Sequence, residues 1–230
     1  MKHKLQNQMN KAESIFGLCY LATQQFAVPF LLTLVMALLG FSTTELWLNF
    51  IFFAFNFLVV TVAFHRFLLA DLRIFSKNPL SVLGLCVLGF VVYWAANIFA
   101  GLLLSLYFPN FANPNDANIQ AMAGDRFWVM FTGSVILVPL VEETLYRGVI
   151  FGVADRLNRP LAYILSTLVF ALIHVVGYIG AVSPLYLLVS MLQYVPAGLC
   201  LSWAYARTNT IFAPILIHTA VNFLGMLAMR

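Results

Sequence analysis

The stretch LSVLGLCVLGFVVYWAANIFAGLLLSLY, residues 80–107, lies in a run from 78 to 115 that contains no Asp, Glu, Lys or Arg. A helix of roughly 20 apolar residues crosses the hydrocarbon core of a bilayer, and this stretch is long enough to do so. The sequence therefore predicts a membrane protein built from helices. Further charge-free runs occupy 14–44, 46–65, 127–141, 160–206 and 208–229.

The composition agrees with this prediction. Of the 230 residues 63% are hydrophobic and only 9% are charged, against about 25% charged residues in a typical soluble domain. The mean hydropathy is +0.94. We expect a single membrane domain over residues 1–230 with no soluble domain attached. Cys19, Cys86 and Cys200 lie singly in different apolar runs and are expected to be packing residues.

The apolar runs predict an all-α, polytopic transmembrane bundle of about seven helices. The run 160–206 is too long for one span, and GYIGAVSP at 177–184 divides it in two. The polar stretch NPNDANIQAMAGDR at 113–126 is expected to be an external loop, either a short lid or a connection. The predicted helices occupy about 15–39, 46–68, 80–107, 127–154, 160–176, 185–205 and 210–229.

The positive residues predict the orientation, because Lys and Arg concentrate in cytoplasmic loops. With the N-terminus inside, ten positive residues fall on the inner side and two, Arg126 and Arg230, on the outer side. We therefore expect a cytoplasmic N-terminus, and the net charge of +4 reports topology rather than nucleic-acid binding. The first helix carries no clear cleavage site, so we expect it to be retained. The inner residues are Lys2, Lys4, Lys11, Arg66, Arg73, Lys77, Arg147, Arg156, Arg159 and Arg207.

A few ionisable residues lie within the predicted spans. An ionisable side chain inside a bilayer costs about 2.5–3.5 kcal/mol on insertion scales and usually faces the protein interior or a wet cavity. Such residues are therefore candidates for function. VEETLYRG at 141–148 supplies Glu142, Glu143 and Arg147, and later helices supply His174 and His218, with Asn222, Asn97 and Gln193 as uncharged companions.

Counting residues places several of these side chains at one depth. Glu142 lies 16 residues before Asn158, where the chain is expected to turn, and His174 lies 16 residues after it. Asn222 is 13 residues into the last helix from Asn209, which is about 20 Å at 1.5 Å per residue. His218 lies one turn nearer the cytoplasm. We therefore expect these residues to converge on one layer of the membrane.

Helical spacing predicts which side chains share a face, since residues four apart lie on the same side. This pairs His218 with Asn222, Glu143 with Arg147, and Phe170 with His174. Glu142 and Glu143 are about 100° apart on a helix, so one should face the site while the other is bound to Arg147 or another donor. Pro139 and Pro214 are expected to loosen their helices beside this polar layer.

The residue types leave three chemical interpretations open. A glutamate with a histidine partner can activate water, and a second histidine with an asparagine can donate hydrogen bonds to an oxyanion. Glu142, His174 and His218 could instead bind zinc, although no HExxH motif is present. The remaining interpretation is purely structural: a buried Glu143–Arg147 pair, hydrogen-bonded core histidines and an interhelical Asn222.

Three motifs occur in order: EETLYR at 142–147, FALIH at 170–174 and HTAVN at 218–222. They match EExxxR, FxxxH and HxxxN, and the chain therefore resembles the CPBP family. That family includes type II CAAX prenyl endopeptidases, bacteriocin-processing and immunity proteins, and Abi proteins. The resemblance covers about residues 127–229, the expected protease core.

The resemblance implies an intramembrane endopeptidase of the cell membrane that cleaves a membrane-anchored protein or peptide, in a cavity open to the cytoplasm. Glu142 and His174 would activate water, and His218 with Asn222 would form the oxyanion hole. Glu143, with Arg147, would support the site, and Phe170 would pack beside His174. Members are often described as metalloproteases. A metal-free mechanism is favoured here by the absence of a compact metal motif, and zinc stays the alternative.

Two other classes of function fit parts of the sequence. Intramembrane Glu and His residues also serve as proton relays in transporters, but the polar residues here crowd the C-terminal half and no internal repeat is visible. A bacteriocin-immunity or other peptide-binding membrane protein could retain the motif residues without cutting anything.

Overall fold

The computed structural model describes residues 5–230, so Lys2 and Lys4, which contributed to the predicted orientation, lie outside the described residues. Over this range the chain is an all-α bundle, and no β-strand is formed there. We number the helices α1 Lys11–Gln24, α2 Ala27–Leu38, α3 Glu45–Ala63, α4 His65–Lys77, α5 Pro79–Tyr107, α6 Pro114–Asp155, α7 Arg159–Ile173, α8 Pro184–Gln193, α9 Val195–Thr208 and α10 Phe212–Ala228.

The polytopic architecture predicted from the apolar runs is confirmed. Among residues 5–230, four helical stretches are long and apolar enough to cross a membrane: α3, α5, α6 and the pair α8–α9. Helices α1 and α2 together form a fifth candidate span, bent by 60°. Helices α7 and α10 are apolar but shorter, with 15 and 17 residues. The count of seven spans and the cytoplasmic N-terminus stay predictions.

The bounds of three elements differ from the prediction. The expected helix 15–39 is broken between α1 and α2, and the expected helix 46–68 ends at Ala63, where the amphipathic α4 begins. The expected loop 113–126 is mostly helical. Asn113 caps it by accepting from the Asn115 N–H, and Pro114 occupies the first turn, where its missing N–H costs nothing.

The polar segment 114–125 becomes helical because one of its faces is apolar. Met122 and Ala123 are buried in a cluster with Leu46 of α3 and Met130 further along α6. At Arg126 the backbone leaves the helical region, with φ −147° and ψ 76°. The helix is therefore kinked at Arg126, whereas the sequence pattern alone suggested a loop.

Helix α6 is irregular on both sides of the two glutamates. Thr132–Leu137 and Thr144–Phe151 form π-helical turns, and the regular turn Val138–Glu143 lies between them. Single π-helical turns inside α-helices are rare and occur often at functional sites. The second π segment is almost entirely buried. The polar layer therefore lies on the most enclosed part of the longest element.

Close packing of small residues holds the helices around α6. A Cβ atom added to Gly198 of α9 would lie 2.7 Å from Cγ2 of Thr167, so only glycine lets α9 approach α7 this closely. The same position brings the Gly198 carbonyl to Arg147. Tyr146, Phe170 and Leu201 are buried in the cluster that joins α6, α7 and α9.

The residues before α1 cross the end of the bundle formed by α4 and the start of α10. Asn7 donates through Nδ2 to Asp71 Oδ1 at 2.7 Å, and Arg156 donates to the Met9 carbonyl. Asp71 is fully buried and also accepts from the Ile211 N–H, at the N-terminus of α10. Burial raises the pKa of Asp71 from 3.8 to about 6, against the lowering effect of its hydrogen bonds.

Candidate active site

The two adjacent glutamates face different surroundings, as their spacing predicted. Glu142 lines a cavity within the bundle, with 18% of its side chain exposed. Glu143 is fully buried. Its Oε1 accepts from Arg147 Nη1 at 3.1 Å and contacts His218 Nδ1 at 2.8 Å. The carboxylate of Glu142 is therefore the one available to a bound molecule.

Arg147 is held between two helices. Its second terminal nitrogen donates to the Gly198 carbonyl at 3.1 Å, and its guanidinium carbon lies 4.5 Å from the centroid of the Phe170 ring. A buried arginine is tolerated only when it is paired and hydrogen-bonded. Arg147 therefore ties the glutamate helix to α7 and α9, which carry the other side of the site.

Two histidines face the free carboxylate. Glu142 Oε2 lies 3.9 Å from Nε2 of His174 and 3.9 Å from Nε2 of His218. The convergence at one depth that residue counting predicted is thus present in the structure. Separations of this size are too long for a direct hydrogen bond and suit a bridging water molecule. Glu142 Oε2 is buried and finds no hydrogen-bond partner within the described range.

The contact made by Nδ1 of each imidazole indicates which ring nitrogen carries the proton. His174 Nδ1 lies 2.7 Å from the Phe170 carbonyl oxygen, which can only accept, so Nδ1 carries the proton. His218 Nδ1 faces the Glu143 carboxylate, which favours the same tautomer. In the neutral rings both Nε2 atoms are consequently unprotonated and face Glu142. Glu142 Oε2 and the Nε2 atoms of His174 and His218 can therefore accept a proton from a molecule bound between them.

Aromatic rings fix the orientation of His174. Its ring lies 4.5 Å from Phe170 and is stacked on Tyr194 at 4.3 Å between centroids, with an interplanar angle of 30°. Phe170 thus packs beside His174, as expected. Tyr194 occupies the break between α8 and α9 and was not singled out from the sequence, since it is remote from every motif.

Asn222 is positioned by a proline on another helix. Val138 N–H bonds to the Gly133 carbonyl in the π pattern, and the next bond would join residue 139 to the Ser134 carbonyl. Pro139 has no N–H, so this carbonyl is free to accept from Asn222 Nδ2 at 2.8 Å. Pro214 lies in the first turn of α10, where no helical bond is lost, so its expected loosening effect was wrong.

The cavity that contains these groups has a volume of about 420 Å³. One end is formed by Glu142, His174, His218 and Asn222. The other end is formed by the polar segment of α6 and by the ends of α3 and α10. The side chains that complete its wall include the predicted companions Asn97 and Gln193, and also Gln25, Asn115, Asp116, Asn118, Tyr194 and Met229.

The direction of this cavity conflicts with one pair of expectations. The cavity extends from Glu142 toward the end of the bundle that holds segment 114–125. The charge distribution predicts that this end is external, whereas the family resemblance implied a cavity open to the cytoplasm. Both expectations cannot hold together, because α4 and most positive residues lie at the opposite end.

Zinc is the alternative that the sequence left open for Glu142, His174 and His218. Tetrahedral zinc, with ligands at about 2.0–2.1 Å, holds neighbouring ligand atoms about 3.4 Å apart. Glu142 and the two histidines offer suitable atoms, but the two measured separations are 3.9 Å. No group of three or more His, Cys, Asp or Glu side chains in the described part of the chain is arranged to hold a metal ion. In the structure these atoms are therefore spaced more widely than a bound zinc ion would hold them.

Fold and site together define a multi-pass helical membrane protein with a carboxylate and two histidines facing an internal cavity. Comparison with known families gives the particular assignment. Residues 124–224, a little under half of the chain, match the family described as type II CAAX prenyl endopeptidase Rce1-like. The resemblance to the CPBP family is thereby confirmed.

Similar proteins occur in two bacteria. The chain is 33% identical over 95 residues to UPF0177 protein YxdF of Lactococcus lactis, covering 41% of this chain and 47% of the relative. It is 30% identical over 95 residues to "Putative membrane peptidase YdiL" of Bacillus subtilis, covering 41% and 34%. With UPF0177 protein YbdI of L. lactis the identity is 22% over 158 residues, or 66% and 76%. No solved structure matches significantly.

Proposed function

We propose that this protein is an intramembrane endopeptidase that hydrolyses a peptide bond of a membrane-associated protein or peptide. The observation that carries the proposal is the arrangement around Glu142. Its buried, unpartnered Oε2 atom faces the Nε2 atoms of His174 and His218 at 3.9 Å, inside a cavity of about 420 Å³. The match of residues 124–224 to the Rce1-like family supports it independently.

In the proposed reaction Glu142 and His174 activate the attacking water. A water molecule between them donates one hydrogen to Glu142 Oε2 and the other to the unprotonated Nε2 of His174. Its oxygen attacks the carbonyl carbon while its proton moves to Glu142. The tetrahedral intermediate collapses when the C–N bond breaks, and Glu142 returns the proton to the leaving amine.

His218 and Asn222 stabilise the developing oxyanion. In its doubly protonated form His218 keeps the Nδ1–H on Glu143 and presents an Nε2–H that can donate to the oxyanion. The Asn222 amide has two N–H bonds, and the Ser134 carbonyl takes one of them. The second is left for the oxyanion. These donors therefore depend on Glu143 and Pro139.

Arg147 and Phe170 act as positioning residues. Arg147 balances the charge of Glu143 and links it to the Gly198 carbonyl. Phe170 supplies the carbonyl that fixes the His174 tautomer, and its ring lies between Arg147 and His174. These contacts connect Glu143 to His174 through Arg147 and Phe170.

The test is cleavage of a membrane-peptide library by the purified protein in nanodiscs. Glu142→Gln and His174→Gln should lower the cleavage rate at least 1,000-fold, since both remove a proton acceptor from the reacting water. Asp125→Asn is the matched control: Asp125 is an exposed carboxylate on the same helix, outside the cavity wall. This variant should cut at the wild-type rate.

Activity retained by Glu142→Gln would refute the proposal. Repeating the assay with a chelator separates water activation by zinc from water activation by Glu142 and His174 alone, because metal-free cleavage is insensitive to chelation. If wild type binds peptides that neither it nor the variants cut, with prenylated and leader peptides included, the peptide-binding interpretation replaces the peptidase.

A further inference from the structure

The charges on the cavity wall are unbalanced. Two carboxylates, Glu142 and Asp116, line the cavity, and Glu45 accepts from the side chain of the lining residue Asn118 at 3.4 Å. The lining drawn from the described residues contains amides, aromatic rings and methionines but no Lys or Arg. The wall therefore favours positive charge in whatever occupies it.

The positive groups close to this region do not offset that charge. Arg147 is fully buried behind the Phe170 ring and is paired with Glu143. Arg230 lies over the rings of Phe127 and Trp128, at 5.4 and 5.6 Å from their centroids, and is not part of the wall. A carboxylate placed near Asp116 would meet that carboxylate with no Lys or Arg on the wall, and the lining side chains that can carry positive charge are His174 and His218, beside Glu142.

Asp116 is held in place beside the histidine of the site. The Tyr194 hydroxyl lies 3.3 Å from both Asp116 Oδ1 and Asn113 Oδ1 and can donate its proton to either, and the Tyr194 ring is stacked on His174. Asn115 Nδ2 donates to the same hydroxyl at 3.1 Å, and Asn113 Nδ2 donates to Gln193 at 2.8 Å. The carboxylate is thus fixed one tyrosine side chain away from His174.

The separation between Asp116 and His174 corresponds to a few residues of an extended peptide. A tyrosine ring with its stacking gap spans roughly 7–10 Å, and an extended chain advances about 3.3–3.6 Å per residue. A side chain that reaches Asp116 would belong to a residue about two or three positions from the bond placed between Glu142 and His174.

We propose, on the basis of the peptidase function proposed above, that Asp116 is a specificity-determining residue that binds a lysine or arginine side chain of the substrate close to the scissile bond. Glu142 and the amides of the wall add to the preference for a cationic segment.

The experiment measures binding and cleavage separately. Three matched peptides with an apolar 20-residue span carry lysine, norleucine or glutamate three positions from the central bond. Binding is measured to Glu142→Gln protein in nanodiscs, so that no peptide is consumed. The lysine peptide should bind about tenfold more tightly than the norleucine peptide, as expected for one charge-assisted hydrogen bond, and the glutamate peptide most weakly.

Substitutions of Asp116 show whether this residue causes the tighter binding of the lysine peptide. Added to Glu142→Gln, Asp116→Asn should abolish the tenfold difference, Asp116→Glu should keep it, and the matched Asp125→Asn should leave it unchanged. The inference is wrong if the lysine peptide has no advantage, which includes binding of none of the three, or if the advantage survives Asp116→Asn. Equal cleavage of all three by wild type would overturn it and leave the peptidase proposal intact. Preferential binding of the lysine peptide without cleavage of any peptide would support the assignment of Asp116 and contradict the peptidase proposal.

Discussion

Replacing Arg147 with methionine tests the electrostatic centre of the site. The Arg147 side chain is fully buried, and its two terminal nitrogens each make a 3.1 Å contact, to Glu143 Oε1 and to the Gly198 carbonyl. Methionine fills a similar volume without the charge. The change leaves the Glu143 carboxylate buried with only His218 as a partner.

Removing one member of a buried ion pair costs about 3–5 kcal/mol, because the remaining charge stays uncompensated. For a chain of this length one kcal/mol shifts the unfolding midpoint by roughly 2–4 °C, so we expect a fall on the order of 10 °C. Adding Glu143→Gln should recover much of the loss, since no charge is then left unpaired.

The protein carries its own reporters for this measurement. Cys86 and Cys200 are buried, whereas Cys19 is exposed. In a Cys19→Ala background, a thiol-reactive fluorophore therefore follows unfolding in detergent as temperature rises. Arg73→Met is the control, since Arg73 is exposed on α4 and its loss should shift the midpoint by less than about 2 °C. An Arg147→Met midpoint within that range, or a double variant less stable than either single one, would refute the reasoning.

Three further predictions concern other parts of the molecule. The raised pKa of Asp71, about 6 against 3.8, means that its contribution to stability is full below pH 4 and is lost as the pH rises through 6. The loss is about 3 kcal/mol, and Asp71→Asn should remove this pH dependence from denaturant unfolding followed by tryptophan fluorescence. Pro139→Ala restores an N–H that competes with Asn222 for the Ser134 carbonyl, so thermal stability should rise while cleavage slows about tenfold. Gln120→Cys, exposed on the polar segment, should react with a membrane-impermeant maleimide on intact cells if the charge-based orientation is right.

Each of these has an outcome that contradicts it. Equal pH dependence of wild type and Asp71→Asn would remove Asp71 from the explanation. Unchanged cleavage by Pro139→Ala would mean that Asn222 does not need its present bond. Labelling of Lys77→Cys instead of Gln120→Cys from outside would reverse the orientation and open the cavity to the cytoplasm.

Much of the site could be predicted because it depends on local spacing. Glu143 with Arg147 and Phe170 with His174 lie four residues apart on regular or nearly regular helices, and equal depth brought Glu142 to His174. These relations need only the rise and turn of a helix. Which glutamate would face the cavity was left open, and packing of Arg147 against α9 decided it.

The rest depends on contacts between distant segments. Asp116 and Tyr194 are 78 residues apart, and nothing in either local sequence indicates their hydrogen bond. The sequence of the segment that carries Asp116 predicted a loop because its charged and amide residues outnumber the residues of its apolar face, such as Met122 and Ala123. The Asn222–Ser134 contact follows from Pro139 only once the π-helical register is known. Asn113 before Pro114 was the available signal for a helix start.

The Glu143–Arg147 pair has a consequence for how the chain enters the membrane. Each charge alone would cost about 2.5–3.5 kcal/mol on insertion, but these two lie four residues apart on one helix and can pair as soon as that helix forms. His218 reaches Glu143 only after α10 has been made and has docked. During synthesis the pair therefore crosses the membrane interface nearly neutral, and the histidine is recruited afterwards. The candidate site is completed only when α10 has docked, which leaves the nascent chain without it until then.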